Sequence, residues 1–356
     1  MVVLAAKLKQ QIYGPMSAQD RFLRSERYIA WLAQTHPQLK IRNDSLGVTY
    51  QAPLQFFEPL KPGFLRKMMR FAALKCPQLF APKALFMGSP FEPYEQLLPL
   101  QKNMMPELKS RAREEGCGII VVTNVDATQL QSDTLNQQGF KILPSFPDMV
   151  LSLPGQSFTD YLKALKSKER NSLLRNIRRF DESGCTVKRV CGKELRSLSH
   201  QMLQGYHQMY VRAEVKWLRH TAEYFHSIAD LSEDVFVDVA FTPQNKLAGY
   251  VVSFDDGDRL HGGRIGLMPS HYQKHGVYFR LIYRLIERGY MHHKKELVLE
   301  PTSFKLKRYL GAQYRPLVNL MVGTTPFWAM VCTVGHRLGR RWLRHLTQPQ
   351  ELEKIY

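Results

Sequence analysis

The chain has 356 residues, of which 44% are hydrophobic and 23% charged, a balance that excludes an intrinsically disordered protein and leaves room for two ordinary domains, each with its own core. Against 31 Asp and Glu stand 50 Lys and Arg, for a net charge of +19. Such an excess implies an anionic partner: nucleic acid, an anionic membrane surface or a phosphate-rich ligand.

The opening MVVLAAKLKQQIYG starts apolar but lacks the n-region, h-region and small-residue cleavage site of a signal peptide. Gly47 to Phe57 reads as a strand or hairpin, and Pro62 to Lys75 as a basic, apolar helix. Ala84 to Met87 begins a strand that ends at Gly88-Ser89-Pro90-Phe91. Met104 to Glu115 has a helical pattern, and the β-branched run from Gly118 to Val125 reads as a buried strand. Ala127 to Gln138 is expected as a helix leading to Gly139-Phe140, and the strand DMVLSLP follows.

Ser157 to Asp181 reads as one strongly basic helix closed by Gly184, then CTVKRV as a short strand and Lys193 to Glu214 as a second helix. VFVDVAF, the turn Thr242 to Lys246, LAGYVVSF, the turn Asp255 to Asp258 and RLHGGRIGL make three successive strands. Gln273-Lys274-His275-Gly276-Val277-Tyr278 then opens the amphipathic helix HGVYFRLIYRLIERGY, followed by a strand, a short helix and Gly311-Ala312. The longest apolar run, Leu317 to Val334, is interrupted by Asn319, Gly323, Thr324, Thr325 and Pro326, too broken for a membrane span of about 20 apolar residues. The division expected is a first half over 1–149, a second over 150–325 and a basic amphipathic tail over 326–356.

Five cysteines (Cys76, Cys117, Cys185, Cys191 and Cys332) are scattered, odd in number and without zinc spacing, so a reducing compartment without disulfides is expected. His292-His293 lacks a third ligand, and no metal site is expected. No G-x-S-x-G elbow or Cys/His nucleophile pair is evident.

The order strand, hairpin, strand, turn, strand, glutamine-glycine loop, helix, strand, short helix from Val235 to Ala312 resembles the acyl-CoA-binding core of the GNAT superfamily of N-acyltransferases. The wider run, through GSPF, the basic helix, TAEYFHSIA, SHYQKHGVYFRLIYRLIERG and PTSFKLKRYLGAQYRPL, is similar to the BioF2-like subfamily, distantly related to the Fem-type aminoacyl-transferases. The resemblance spans roughly Tyr50 to Val322 and implies an α/β fold of two tandem GNAT-like halves with mixed central sheets, the second more complete and catalytic. It implies acyl-CoA as co-substrate, with no resident cofactor. Overlap of the subfamily with GNAT-type bacterial ceramide synthases implies a sphingoid or other lipid amine as acceptor.

The GNAT pyrophosphate motif R/Q-x-x-G-x-G/A is met at Gln273 and Gly276, with His275 and Val277 between and beside them, and fails at its last place, where Tyr278 replaces a small residue. A glycine there lets backbone N–H groups approach phosphate at a helix N-terminus. Lys307, four residues before Gly311, takes the place of the tyrosine that protonates the departing thiolate in many GNAT enzymes. A lysine there neutralises thiolate or phosphate charge or acts as the acid, with Tyr278 as the alternative; Lys305 reads as solvated. A backbone N–H from Gly263 to Leu267 is expected to serve the oxyanion. For the general base the candidates are Glu214, His261 and His271, the last being close enough to the loop to contact phosphate only.

The alternative implied by the Fem-type relatives is an aminoacyl-tRNA-dependent transferase acting on a cell-wall precursor; a further one is a non-catalytic GNAT-like binding protein. Lys163, Lys166, Lys168, Arg170, Arg175, Arg178 and Arg179 on the basic helix fit an anionic ligand or membrane better than DNA, leaving tRNA as the nucleic acid of the alternative. Pro62 to Lys75 and the tail from Pro326 combine aromatic and cationic residues in the manner of interfacial helices, so a cytoplasmic protein, peripheral on the inner membrane, is expected.

Overall fold

The computed structural model describes residues 21–54, 63–91, 104–130, 139–213, 218–231, 233–269, 275–299 and 303–346. In chain order these form α1 (Glu26–Thr35), β1 (Arg42–Asp44), β2 (Gly47–Pro53), α2 (Phe64–Lys75), α3 (Pro77–Phe80), β3 (Lys83–Met87), α4 (Met104–Glu114), β4 (Ile119–Asp126) and β5 (Lys141–Pro144). Next come β6 (Asp148–Ser152), α5 (Phe158–Ala164), α6 (Ser167–Glu182), β7 (Thr186–Val190), α7 (Gly192–Arg212) and α8 (Ala222–Ser227). The remainder is β8 (Val235–Phe241), β9 (Leu247–Asp256), β10 (Arg259–Leu267), α9 (Val277–Met291), β11 (Glu296–Leu299), α10 (Phe304–Tyr309), β12 (Gln313–Arg315), β13 (Leu317–Gly323) and α11 (Pro326–Leu346).

The fold is α/β, with two mixed sheets. One has the order β1-β2-β3-β4-β13-β5 and the other β12-β6-β11-β10-β9-β8-β7. The sheets exchange strands with the sequence division. β13, within 150–325, pairs antiparallel with both β4 and β5 of the first sheet, while β6, which starts just before residue 150, pairs with β11 and β12 of the second.

Every residue of β8 is buried, because both faces of the second sheet are covered. Val235, Val237, Val239 and Phe241 face one core, together with Phe22, Tyr28, Trp31 and Leu32 from the N-terminal segment and Met202, Tyr206, Tyr224 and Phe225 from α7 and α8. Phe236 and Ala240 face the other, with Leu281, Ile282, Leu285 and Ile286 of α9 and Leu173 and Phe180 of α6. The alternation follows the two-residue period of a strand. The N-terminal segment thus completes the core of the second sheet, and Phe22 and Tyr28 pack on Phe254 with ring centroids 6.4 and 5.8 Å away.

Asp238, between Phe236 and Ala240, is fully buried on the α9 side. It accepts from Arg288 Nε at 2.7 Å and Nη2 at 2.5 Å, and from Arg284 Nε at 3.2 Å. The Arg288 guanidinium also lies over Phe236, 4.9 Å from the ring centroid. These bonds fix α9 to β8, the strand next to the β7 edge, in one rotation about its axis.

Three sequence expectations change. The single basic helix of 157–181 is two helices, α5 and α6, because Leu165 turns extended (ψ 148°) and is buried near Gly311, leaving Ser157 and Lys166 as separate caps. Of the helix expected over 127–138, the described start, Ala127–Gln129, is a 3-10 turn capped by Asp126; positions 131–138 lie outside the described residues. The helix expected to begin at His275 begins at Val277, since Gly276 takes a left-handed conformation (φ +69°).

Asp238→Ala leaves Arg288 charged and buried, and is expected to lower stability to urea by about 3–5 kcal/mol. Asp238→Leu combined with Arg288→Met, which removes both charges, is expected to return to within about 1 kcal/mol of the parent.

Candidate active site

Among the described residues the second sheet is open along one side of β10. Among the described residues β11 pairs with β10 in parallel only from Arg259 to Gly262, while β9 follows β10 on the other side as far as Leu267, past an irregularity between Gly262 and Ile265. The last described residue of β11, Leu299, pairs with Gly262, so among the described residues β10 is open on that side from Gly263 to Leu267. Gly266 is required where β10 bends away, because the Tyr250 ring occupies the space a Cβ would take. That ring is held by its hydroxyl, which donates to the Met202 carbonyl at 2.9 Å.

Gly276 caps α9, and the open N-terminal turn of that helix presents its backbone N–H groups and the positive end of its dipole. Next to it Tyr278 is hydrogen-bonded to Ser303, which precedes α10 in a left-handed conformation (φ +50°). Burial pushes the Tyr278 phenol up, partly offset by the Ser303 bond, so it is a proton donor near neutral pH. Lys307, in α10, is buried. Its helix is fastened from outside: Tyr309 donates to the Lys168 carbonyl at 3.0 Å and Tyr161 to the Leu310 carbonyl at 3.0 Å. α6 also lies along α9, with Asn176 Nδ2 donating to the Tyr283 hydroxyl at 3.0 Å and the Asn176 carbonyl facing Gly276.

The structure therefore brings Gly276, Val277, Tyr278 and the Lys307 helix together, with partly buried His275 just before the Gly276 cap. α6, which lies along α9, exposes Lys168, Arg175, Arg178 and Arg179, with exposed Lys166 at its N-cap. Glu214, His271 and Gln273 lie outside the described residues. His261 sits elsewhere. It is buried on the part of β10 still paired to β11, on the side facing the N-terminal segment, with Nε2 3.5 Å from Asp256 Oδ2. Asp256 also accepts the Leu23 N–H at 3.0 Å. Burial would raise the Asp256 carboxyl, but the His261 and Leu23 bonds outweigh it and hold it below the usual range.

A polar cluster that the sequence reading did not single out lies on that same side, at the parted stretch of β10. Arg264 Nε donates to His220 Nε2 at 2.7 Å, and Arg264 Nη2 to the Phe91 carbonyl at 3.1 Å. The His220 ring stacks on Phe91 (4.2 Å) and lies 5.5 Å from His36, whose Nδ1 is 2.9 Å from Thr35 Oγ1. Burial, then the charges of Arg264 and His36, hold His220 well below its ordinary value, and burial lowers His36 to about 4 despite the Leu32 carbonyl bond. A neutral His220 that accepts at Nε2 carries its proton on Nδ1. That Nδ1 and His36 Nε2 are buried without a hydrogen-bond partner among the described residues. The sequence signal was a charged residue inside a glycine-rich strand, HGGRIG, together with the GSPF and TAEYF segments that carry the contacts.

Both histidines are neutral when folded and ionise more readily when unfolded, so stability is complete above about pH 6.5 and is lost as pH falls toward 4. For His36 alone the loss by pH 4 is on the order of 3 kcal/mol. His36→Phe is expected to flatten the dependence of thermal midpoint on pH between 7 and 4; an unchanged slope would assign it to other groups.

A family model for FemAB-like proteins, described as peptidoglycan biosynthesis/recognition, matches residues 90–294, more than half of the chain. A search of curated proteins gives no match. Among solved structures, L-PGS from Bacillus licheniformis superposes with a TM-score of 0.53 at 10% identity, covering 88% of this chain and 97% of that one. A conserved protein of unknown function from Bacteroides thetaiotaomicron gives 0.52 at 11% identity, covering 90% and 97%. FemX gives 0.51 at 10% identity, covering 70% and 86%. At such identities the likeness is one of fold, whereas the sequence model reaches across the junction of the halves and most of the second sheet. The chain belongs to the FemAB-like family.

Proposed function

We propose that the protein is a Fem-type transferase, which moves an aminoacyl group from aminoacyl-tRNA to an amine of a cell-wall precursor. The family match over residues 90–294 carries this reading. Two features of the site support it over transfer from acyl-CoA to a sphingoid amine. Tyr278 stands where the CoA motif has a small residue, filling the first turn of α9 with a ring bonded to Ser303. The cationic face of α6 extends the positive surface well beyond what one pyrophosphate needs, as a polynucleotide backbone requires.

In this mechanism the 3′ end of the tRNA enters the opening between β10 and β11. The acceptor amine loses a proton and attacks the ester carbonyl carbon. A backbone N–H of the parted strand at Gly263 to Leu267 stabilises the oxyanion. The C–O bond to the ribose then breaks, and the departing oxygen takes a proton, leaving an amide and a free tRNA hydroxyl. Lys307 supplies that proton or neutralises the departing oxygen, with Tyr278 as the alternative; Glu214 takes the proton of the amine. The terminal turn after Gly276 binds phosphate of the donor.

Incubation with tRNA carrying a radiolabelled amino acid and a peptidoglycan precursor bearing a free amine is expected to move label into the precursor. Lys166→Glu, Arg175→Glu and Arg178→Glu together are expected to weaken tRNA binding by more than about tenfold at low salt. Lys307→Ala is expected to lower turnover by about 10²-fold or more with tRNA binding retained. Thiol release and amide formation from palmitoyl-CoA and a sphingoid base, with no transfer from tRNA, would overturn this reading in favour of the acyl-CoA one.

A further inference from the structure

α2 has no buried described side chain, although it is rich in apolar residues. Phe64, Met68, Phe71 and Leu74 are 47–82% exposed and recur at helical spacing, and Lys75 lies over Phe71 at 5.8 Å from the ring centroid. An apolar helix face with nothing packed on it is costly in water, and here it is repeated. α11 buries Cys332 and packs Trp328 on Gly118 of the first sheet, and its opposite row of Phe327, Met330 and Val334 is 50–58% exposed. Seven of the ten exposed large apolar side chains of the described residues lie on these two helices, so the apolar exposure is concentrated rather than scattered.

The chain segments that carry the two rows join the first sheet at one end. Leu54 N–H donates to the Pro82 carbonyl (2.8 Å), Gly118 N–H to the Lys83 carbonyl (3.1 Å), and Thr324 N–H to the Gly118 carbonyl (3.0 Å). This line of bonds crosses a single end of the first sheet. Phe80, which ends α3 behind α2, and Pro326, which starts α11, each lie two residues from it. The charge has one sign: α2 carries Arg66, Lys67, Arg70 and Lys75, α11 carries Arg337, Arg340, Arg341 and Arg344, and neither contains Asp or Glu.

We infer that this end of the first sheet is a membrane-docking surface, which lays α2 and the exposed row of α11 into the interface of a bilayer rich in anionic phospholipid. Aromatic and aliphatic side chains enter the headgroup boundary while the Lys and Arg residues meet lipid phosphate. Charge decides for lipid over a second copy of this chain, which would oppose one cationic helix pair to another. No helix of the described residues is long and apolar enough to cross a membrane, so this contact is interfacial. The surface depends on neither the donor nor the acceptor of the reaction.

The test is co-sedimentation of the full chain with vesicles of phosphatidylcholine, with and without phosphatidylglycerol. The full chain is expected to pellet only with the anionic vesicles and to be released by salt. Phe64→Glu with Phe71→Glu, and separately Phe327→Glu with Val334→Glu, are expected to lower the partition coefficient at least about tenfold at unchanged thermal midpoint. Both variants should still turn over a soluble precursor analogue at the parent rate, if the parent turns it over. Equal pelleting with and without phosphatidylglycerol would overturn the inference, as would parent-like binding by both variants. A dimer in solution that either variant dissociates would assign the face to a second copy instead.

Discussion

One buried carboxylate sets the position of everything that surrounds the candidate site. Asp238 lies in a strand whose other residues are apolar, and it is paired there by two arginines on successive turns of α9. A helix packed on a sheet by leucine and isoleucine alone can rotate or slide at little cost. A guanidinium bonded through two nitrogens to a carboxylate cannot, since any slip leaves a charge unpaired in the core. The rotation of α9 in turn decides that Gly276 and Tyr278 reach the opening in β10, and that Tyr283 meets Asn176 of α6. The same ion cluster thus places the cationic face of α6.

The two sides of β10 have different characters. Toward α9, α6 and α10 lie the helix terminus, the buried lysine and the exposed cations, a setting for a phosphate-bearing donor. Toward the N-terminal segment lie Asp256, His261, His220 and His36, buried among aromatic rings at the junction of the halves, with partly buried Arg264 beside them. There the His36 and His220 imidazoles are held neutral, Arg264 ties His220 to the Phe91 backbone, and the chain from the first half is fastened to the second sheet. The wall on this side is aromatic, with its polar groups bonded to one another or to the backbone.

Much of the second half was legible in the sequence because its signals are local. Strand alternation, the two turns after β8 and β9, and a glycine before an amphipathic helix each act within a few residues. The break between α5 and α6 was not legible, since it depends on the burial of Leu165 close to Gly311, far along the chain. α1 and β13 escaped for a similar reason. α1 owes its place to the aromatic face it lends to Phe254, and the run at Leu317 owes its to a slot between two strands nearly two hundred residues earlier and later joined. Of the site, the helix terminus and Lys307 could be found by pattern, but the His36–His220–Arg264 cluster could not. Its members come from three separate segments and meet only after both halves have packed.

The exchange of β13 bears on how the molecule is made. β4 and β5 have no direct pairing in the sheet order; each bonds to β13, which is translated after nearly all of the second half. While the chain leaves the ribosome, the first half therefore waits with a vacant lane in its sheet and two unpaired strand edges beside it. Folding from the N-terminus cannot close it. The second half can assemble its seven strands first, since β6 is already in hand, and the last strand then seals the first half from behind. The half that begins the chain is the half that finishes folding.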